Sequence, residues 1–189
     1  MTERLARITP DQMTPEQVEV YEKFAGGKRA APGSAFSLVH PDGGLTGPPN
    51  AWLLSPPLAR AFERVGWAMR YELTLSDRSR EIAILLHAFH RASPFELHAH
   101  RKAGRAAGLS DAEIEGLATR TPPAFRSAEE RSVFTTTLAL IDRKDLDDAE
   151  YAAAVAALGE RKLFELVALI GYYDSVATQL AVFRVTPPD

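Results

Sequence analysis

Along the chain, apolar residues recur at intervals of three and four, and the stretches that carry them open on capping sequences and close at glycine. Thr14-Pro15-Glu16-Gln17 has the capping-box form with proline at the first helical position, and predicts a short helix ending near Gly26-Gly27. Residues 28 to 50, KRAAPGSAFSLVHPDGGLTGPPN, then read as one long Pro/Gly-rich loop, which in a compact domain is more often functional or mobile than incidental. Ser55-Pro56-Pro57 opens a helix to about Tyr71, with Leu58, Phe62, Val65 and Met69 at helical spacing.

Ser76 starts the next helix, to about Arg91, and Ser93-Pro94-Phe95-Glu96 forms a second capping box whose helix runs to Ala107 with Gly108 as its stop. Ser110, Ser127 and Asp147 cap three further helices, reaching about Ala118, about Asp142 and Gly159, and a last one covers about 161 to 183. No alternating strand pattern is present, so the expected class is all-α and the expected organisation a single domain over 1 to 189. EIAILL at 81 to 86 echoes ELVALI at 165 to 170, as a duplicated helical unit would.

Helical geometry sorts the histidine-rich stretch HAFHRASPFELHAH, residues 87 to 100. At about 100° per residue, Glu81 shares an arc with Ile82, Ile84, Leu85, Ala88 and Phe89, whereas Arg80, His87 and His90 fall on the polar side. On the following helix Glu96 shares an arc with Phe95, Ala99, His100 and Ala103, while His98, Arg101, Lys102 and Arg105 lie opposite. His87, His90 and His98 are therefore expected to face solvent or an interface, and His100 to face inward. A metal site is not expected, because helical histidine ligands need i, i+4 spacing and His98 and His100 diverge by about 200°.

Glu81, Glu96 and His100 remain as candidate chemistry. A carboxylate among apolar residues is costly unless paired, and burial raises its pKa toward the range useful for proton transfer. Histidine titrates near neutrality and serves as acid or base. Capping alone also accounts for Glu96, and a satisfied core histidine for His100.

Composition narrows the rest. The chain has 189 residues, 46% hydrophobic and 25% charged, and a net charge of −3 with no basic block, which speaks against nucleic acid. The start MTERLARITPDQ lacks the apolar run of a signal peptide, and no stretch reads as a membrane span, so a cytoplasmic location is expected. The absence of cysteine removes disulfides, thiolate nucleophiles and zinc–sulfur sites.

The spacing Glu81-x11-Ser93-x2-Glu96-x3-His100 resembles the motif of the carboxymuconolactone decarboxylase/AhpD superfamily, with Ser93 and Glu96 where the peroxidase branch has its two cysteines. ELHAH at 96 to 100 is similar to the Glu-x3-His of the decarboxylase branch, and ARAAGLSDAEIEGL to the segment that follows in both. LTLSDRSREIAILL, GPPNAWLLSPPLARAF and ELVALIGYYDSVATQLAVFRV resemble a longer Cys-free subgroup, so the likeness covers most of 45 to 185.

The resemblance implies an all-α fold of duplicated helical units and a homo-oligomer, commonly a trimer or hexamer. Peroxidase chemistry is excluded because it needs both cysteines. The activity expected is a cofactor-free lyase or isomerase for a small carboxylated lactone or ring-cleavage product. Its site would use His100 as general acid/base, Glu96 to share or relay the proton and Glu81 to orient the imidazole. Ser93 would donate a hydrogen bond, Asn50, Trp52 and Tyr173 would wall the pocket, and Arg78 would hold a carboxylate. Arg80, on the polar arc, is expected in a surface ion pair. The alternatives are a hydrolase, hydratase or tautomerase in the same pocket, or a non-catalytic binding protein of this fold.

Overall fold

A computed structural model describes residues 3–26 and 37–188. Eight α-helices order them: α1 Pro15–Ala25, α2 Pro48–Trp52, α3 Pro56–Tyr71, α4 Asp77–His90, α5 Pro94–Ala106, α6 Asp111–Ala118, α7 Ala128–Arg143 and α8 Asp148–Phe183. Among the described residues, pairing of extended chain is limited to one isolated bridge, Val39 with Leu45. The class is all-α.

The capping signals work largely as physical chemistry requires. Capping boxes form at Thr14 with Gln17, Ser110 with Glu113 and Asp147 with Glu150, each side-chain oxygen accepting from the third backbone N–H of its helix. Gly159 takes φ 75° and breaks α8 into the two helices that the sequence predicts. By length and composition α8 is apolar enough to cross a membrane, and its Leu163, Leu166, Leu169, Ile170 and Tyr173 join the core.

The expected loop of 28 to 50 is corrected at its end, because Pro48–Trp52 is helix α2; residues 27–36 lie outside the described residues. Two prolines preset its first turn, and Gly47 caps it at φ 80°, where an added Cβ would run into the Phe95 ring. On α3, Met69 is buried and Phe62 half-buried, but Leu58 and Val65 are exposed, since this helix packs chiefly on α1, α2 and α8 at the periphery.

Helix α4 is the axis of the bundle. It packs against α5, α6, α7 and α8, and every residue from Glu81 to Ala88 is buried. Its far end is closed by a Schellman motif, with Ala92 N–H donating to Phe89 O at 3.1 Å and Ser93 N–H to Ala88 O at 3.0 Å. Ala92 takes φ 46° there, in place of the usual glycine, at a cost of about 1 kcal/mol. This turn aims Ser93 and the first turn of α5 at the core.

Candidate active site

Helices α4, α5 and α8 bring Glu81, His100 and Tyr173 together. His100 Nδ1 lies 2.7 Å from Glu81 Oε2, and both side chains are almost fully enclosed. The His100 ring meets Tyr173 edge-on at 5.1 Å between centroids. Burial pushes the Glu81 carboxyl up, but the charge and hydrogen bond of His100, aided by Arg80 and Arg70, outweigh it and hold the pKa below the usual carboxylate range. Glu81 is thus an ionised partner that fixes the imidazole and leaves Nε2 as the ring nitrogen able to face a ligand.

Glu96 behaves oppositely. It is 3% exposed, and neither carboxylate oxygen has a hydrogen-bond partner. Burial raises its pKa to about 7, against the opposing pull of the Ser93 hydroxyl, which lies close by but short of hydrogen-bond geometry, and of the Arg91 charge. The expected capping box at Ser93–Glu96 does not form, and Ser93 makes no side-chain cap bond. The Schellman turn sets the backbone of Ser93 instead, which leaves Ser93 Oγ buried and unpartnered beside Glu96. Capping therefore does not account for this glutamate.

Tyr173 belongs to the same neighbourhood. Burial pushes its phenol well above the ordinary range, with Glu81 and Glu96 adding to that and Arg70 opposing it. The hydroxyl stays protonated, a donor rather than a base.

Three sequence-predicted site residues are placed elsewhere. Arg78 is 5% exposed and donates to Gly108 O, Glu113 and Ala124 O while pairing with Glu130 at 3.2 Å, so it ties α4 to α6 and α7 and has no guanidinium face to offer a substrate. Asn50 spends its amide on Ile8 N and Ala6 O, pinning the N-terminal segment to α2. Trp52 donates to Gln179 Oε1 at 2.6 Å and stacks on Phe62 at 5.3 Å. From Phe62 the rings continue through Tyr172 to Tyr173, so Trp52 buttresses the site from three rings away.

The histidine sorting holds for His90 and His98, which are exposed, and for His100, which is buried. His87 is the exception. It is fully buried, with Nε2 3.3 Å from Asp174 Oδ1 on α8. A helix enclosed on all sides has no solvent face, and the residue that meets His87 is 87 positions away in sequence. Arg80 is likewise drawn in, its Nε 3.3 Å from Glu81 and its Nη1 2.7 Å from Asp77. Among the described residues no group of three or more His, Asp or Glu side chains is arranged to hold a metal ion.

Residues 56–137 match the model of the carboxymuconolactone decarboxylase family, a span that includes Glu81, Ser93, Glu96 and His100. The segment that carries these four residues is thus similar to that family. The chain's solved neighbours share the helical fold at low identity. An uncharacterised peroxidase-related protein from Silicibacter sp. TM1040 aligns at a TM-score of 0.76 and 14% identity, over 98% of this chain and 92% of its own. An Agrobacterium tumefaciens protein of unknown function, suggested to be the antioxidant defence protein AhpD, gives 0.65 and 19% over 74% of this chain and 97% of its own. The debrominase Bmp8, as a cysteine-to-alanine variant with 2,3,4-tribromopyrrole, gives 0.71 and 12% over 100% of this chain and 93% of its own. At these identities the likeness speaks for the fold. No curated protein matches the chain.

Proposed function

We propose that the chain is a cofactor-free lyase or isomerase of carboxymuconolactone decarboxylase type, acting on a small carboxylated lactone or related ring-cleavage product. The observation that carries this reading is the contrast between two buried carboxyls one helix apart. Glu81 is held ionised against His100, while Glu96 is bare and titrates at about 7. Two such groups whose surroundings push their pKa values apart make an acid–base pair suited to neutral pH.

In a decarboxylation the bond between the ring carbon and the carboxylate breaks, CO₂ departs, and the electron pair delocalises into the unsaturated carbonyl as an enolate. A proton must then return to carbon. Glu96, protonated below about pH 7, and His100 through Nε2 are the donors within this site, and Glu81 orients the ring and stabilises the imidazolium. The un-ionised Tyr173 hydroxyl supplies a hydrogen bond to the developing oxyanion. Isomerisation uses the same two groups, one removing and one returning a proton. A homo-oligomer is part of this reading, supported by exposed apolar side chains on α3 and α8, Leu58, Val65, Phe164 and Val167 among them.

The test is turnover of carboxylated ring-cleavage lactones, scored by CO₂ release and product structure. His100→Gln, in protein that still folds, lowers the rate by about 10²- to 10⁴-fold. Undiminished turnover would remove His100 from the mechanism. A product that keeps its carboxyl and has gained water would instead favour a hydrolase or hydratase in the same pocket.

A further inference from the structure

Past Gly159, helix α8 carries a stripe that the other described elements leave largely uncovered. Glu160, Phe164, Val167, Gly171, Ser175 and Val182 share an arc of about 80°, at about 100° per residue. Phe164 is 72% exposed, Val167 and Val182 are exposed as well, and past Glu160 the arc carries no charge. Gly171 lies in mid-helix, where glycine is unfavourable against alanine, and a Cβ added to it meets nothing within 4 Å among the described residues. The stripe thus has a bulky knob at Phe164 and an open notch about two turns along. Beside Phe164 and Val167 it widens into an open groove of about 410 Å³ that reaches Leu140, Leu146 and Tyr151. Charge is unbalanced along it. The exposed Glu160 side chain makes no hydrogen bond or ion pair among the described residues. Next to Ser175, by contrast, Arg91 at 3.5 Å and Lys144 at 3.7 Å share the single carboxylate of Asp174.

We propose that this stripe is the seam of a two-fold contact between two copies of the chain, with α8 packed antiparallel against the α8 of the second copy. An axis passing between Val167 and Ala168 seats Phe164 of each copy over Gly171 of the other. The same register carries each unpaired Glu160 to Ser175 of the other copy, beside the Arg91 and Lys144 cations. Knob meets notch and acid meets cation in one alignment, and symmetry makes each match twice. A shift of one turn puts Phe164 against Val167 or Ser175 and loses the notch. Both halves of every match lie on this one chain, which is why the occupant is a second copy. The inference rests on the homo-oligomer of the proposed function and on none of its chemistry.

The chain holds no cysteine, so thiols placed in the seam report on it alone. In the double variant Phe164→Cys, Gly171→Cys the two sulfurs cannot bridge within one helix, being about 10.5 Å apart along its axis. Mild oxidation of this full-length variant gives a covalent dimer in which peptide mapping finds position 164 joined to position 171. Sedimentation equilibrium measures the contact without a cross-link. Phe164→Glu buries two unpaired charges at the seam and raises its dissociation constant at least about a hundredfold, with the circular dichroism of the helices unchanged. Glu160→Lys weakens the contact as well, and adding Lys144→Glu to that variant restores part of the loss. A wild type that is monomeric at its highest soluble concentration, its stripe left for some other protein, overturns the seam. So does Phe164→Glu assembling as the wild type does, which would move the contact to another face such as that of Leu58 and Val65 on α3. The absence of a 164–171 link overturns it too. Lactone turnover by a monomeric wild type sinks the seam alone. A mapped 164–171 link in a protein that turns over none of the lactones sinks the proposed function alone.

Discussion

Glu96 ties the candidate chemistry to a measurable stability, and Glu96→Gln isolates it. The carboxyl is 3% exposed, without a hydrogen-bond partner, and its pKa stands at about 7 instead of the ordinary 4.5. Because the folded value is the higher one, the unfolded chain releases this proton first as pH rises. The stability that neutral Glu96 confers is complete below about pH 4.5 and is lost between there and about pH 7. At about 1.4 kcal/mol per pH unit, that gap amounts to about 3 kcal/mol, good to its order of magnitude. Glutamine has the same shape and cannot ionise. Its unpartnered amide adds a penalty of about 1–3 kcal/mol that does not vary with pH. Denaturant unfolding of both proteins at fixed concentration, from pH 4.5 to 9, gives the difference in unfolding free energy, in which all shared titrating groups cancel. That difference moves in favour of Glu96→Gln by about 3 kcal/mol across the interval and is flat above it. Parallel pH profiles for the two proteins would refute the raised pKa, and with it the role of Glu96 as a proton donor near neutrality.

Two further outcomes follow from buried charge. Arg78→Met leaves Glu113 and Glu130 without their shared cation and lowers the unfolding free energy by about 3–5 kcal/mol; a loss below about 1 kcal/mol would contradict the structural role given to Arg78. His87 titrates below its ordinary 6.5 because burial outweighs the help of Asp174, so the unfolded chain takes up this proton first on acidification and native stability falls below pH 6.5. The difference in unfolding free energy between His87→Met and wild type therefore shifts toward the variant as pH drops from 6.5 to 5, and a constant difference would show that His87 does not titrate as its burial requires.

The helices and half of the site are legible in local sequence signals. Capping boxes and glycine stops are local chemistry, readable within four residues, and they located α1 and α3 to α8 and the break at Gly159. One helical arc sufficed to turn Glu81 and His100 inward, because the apolar neighbours that bury them lie on their own helices. What failed were the readings of His87, Arg78 and the Ser93–Glu96 pair, each undone by neighbours that the pattern does not show. His87 lies on the polar arc of α4, but α8 covers that arc with Asp174. The pattern offers Arg78 as a free cation, but Glu113 and Glu130 arrive from α6 and α7 to consume it. Ser93 and Glu96 have the letters of a capping box, yet the turn closing α4 uses the Ser93 backbone and frees both side chains. A side chain's charge state and availability are set by what surrounds it in space. In a bundle whose central helix is enclosed on every side, those surroundings come from other helices, and only the tertiary structure decides them.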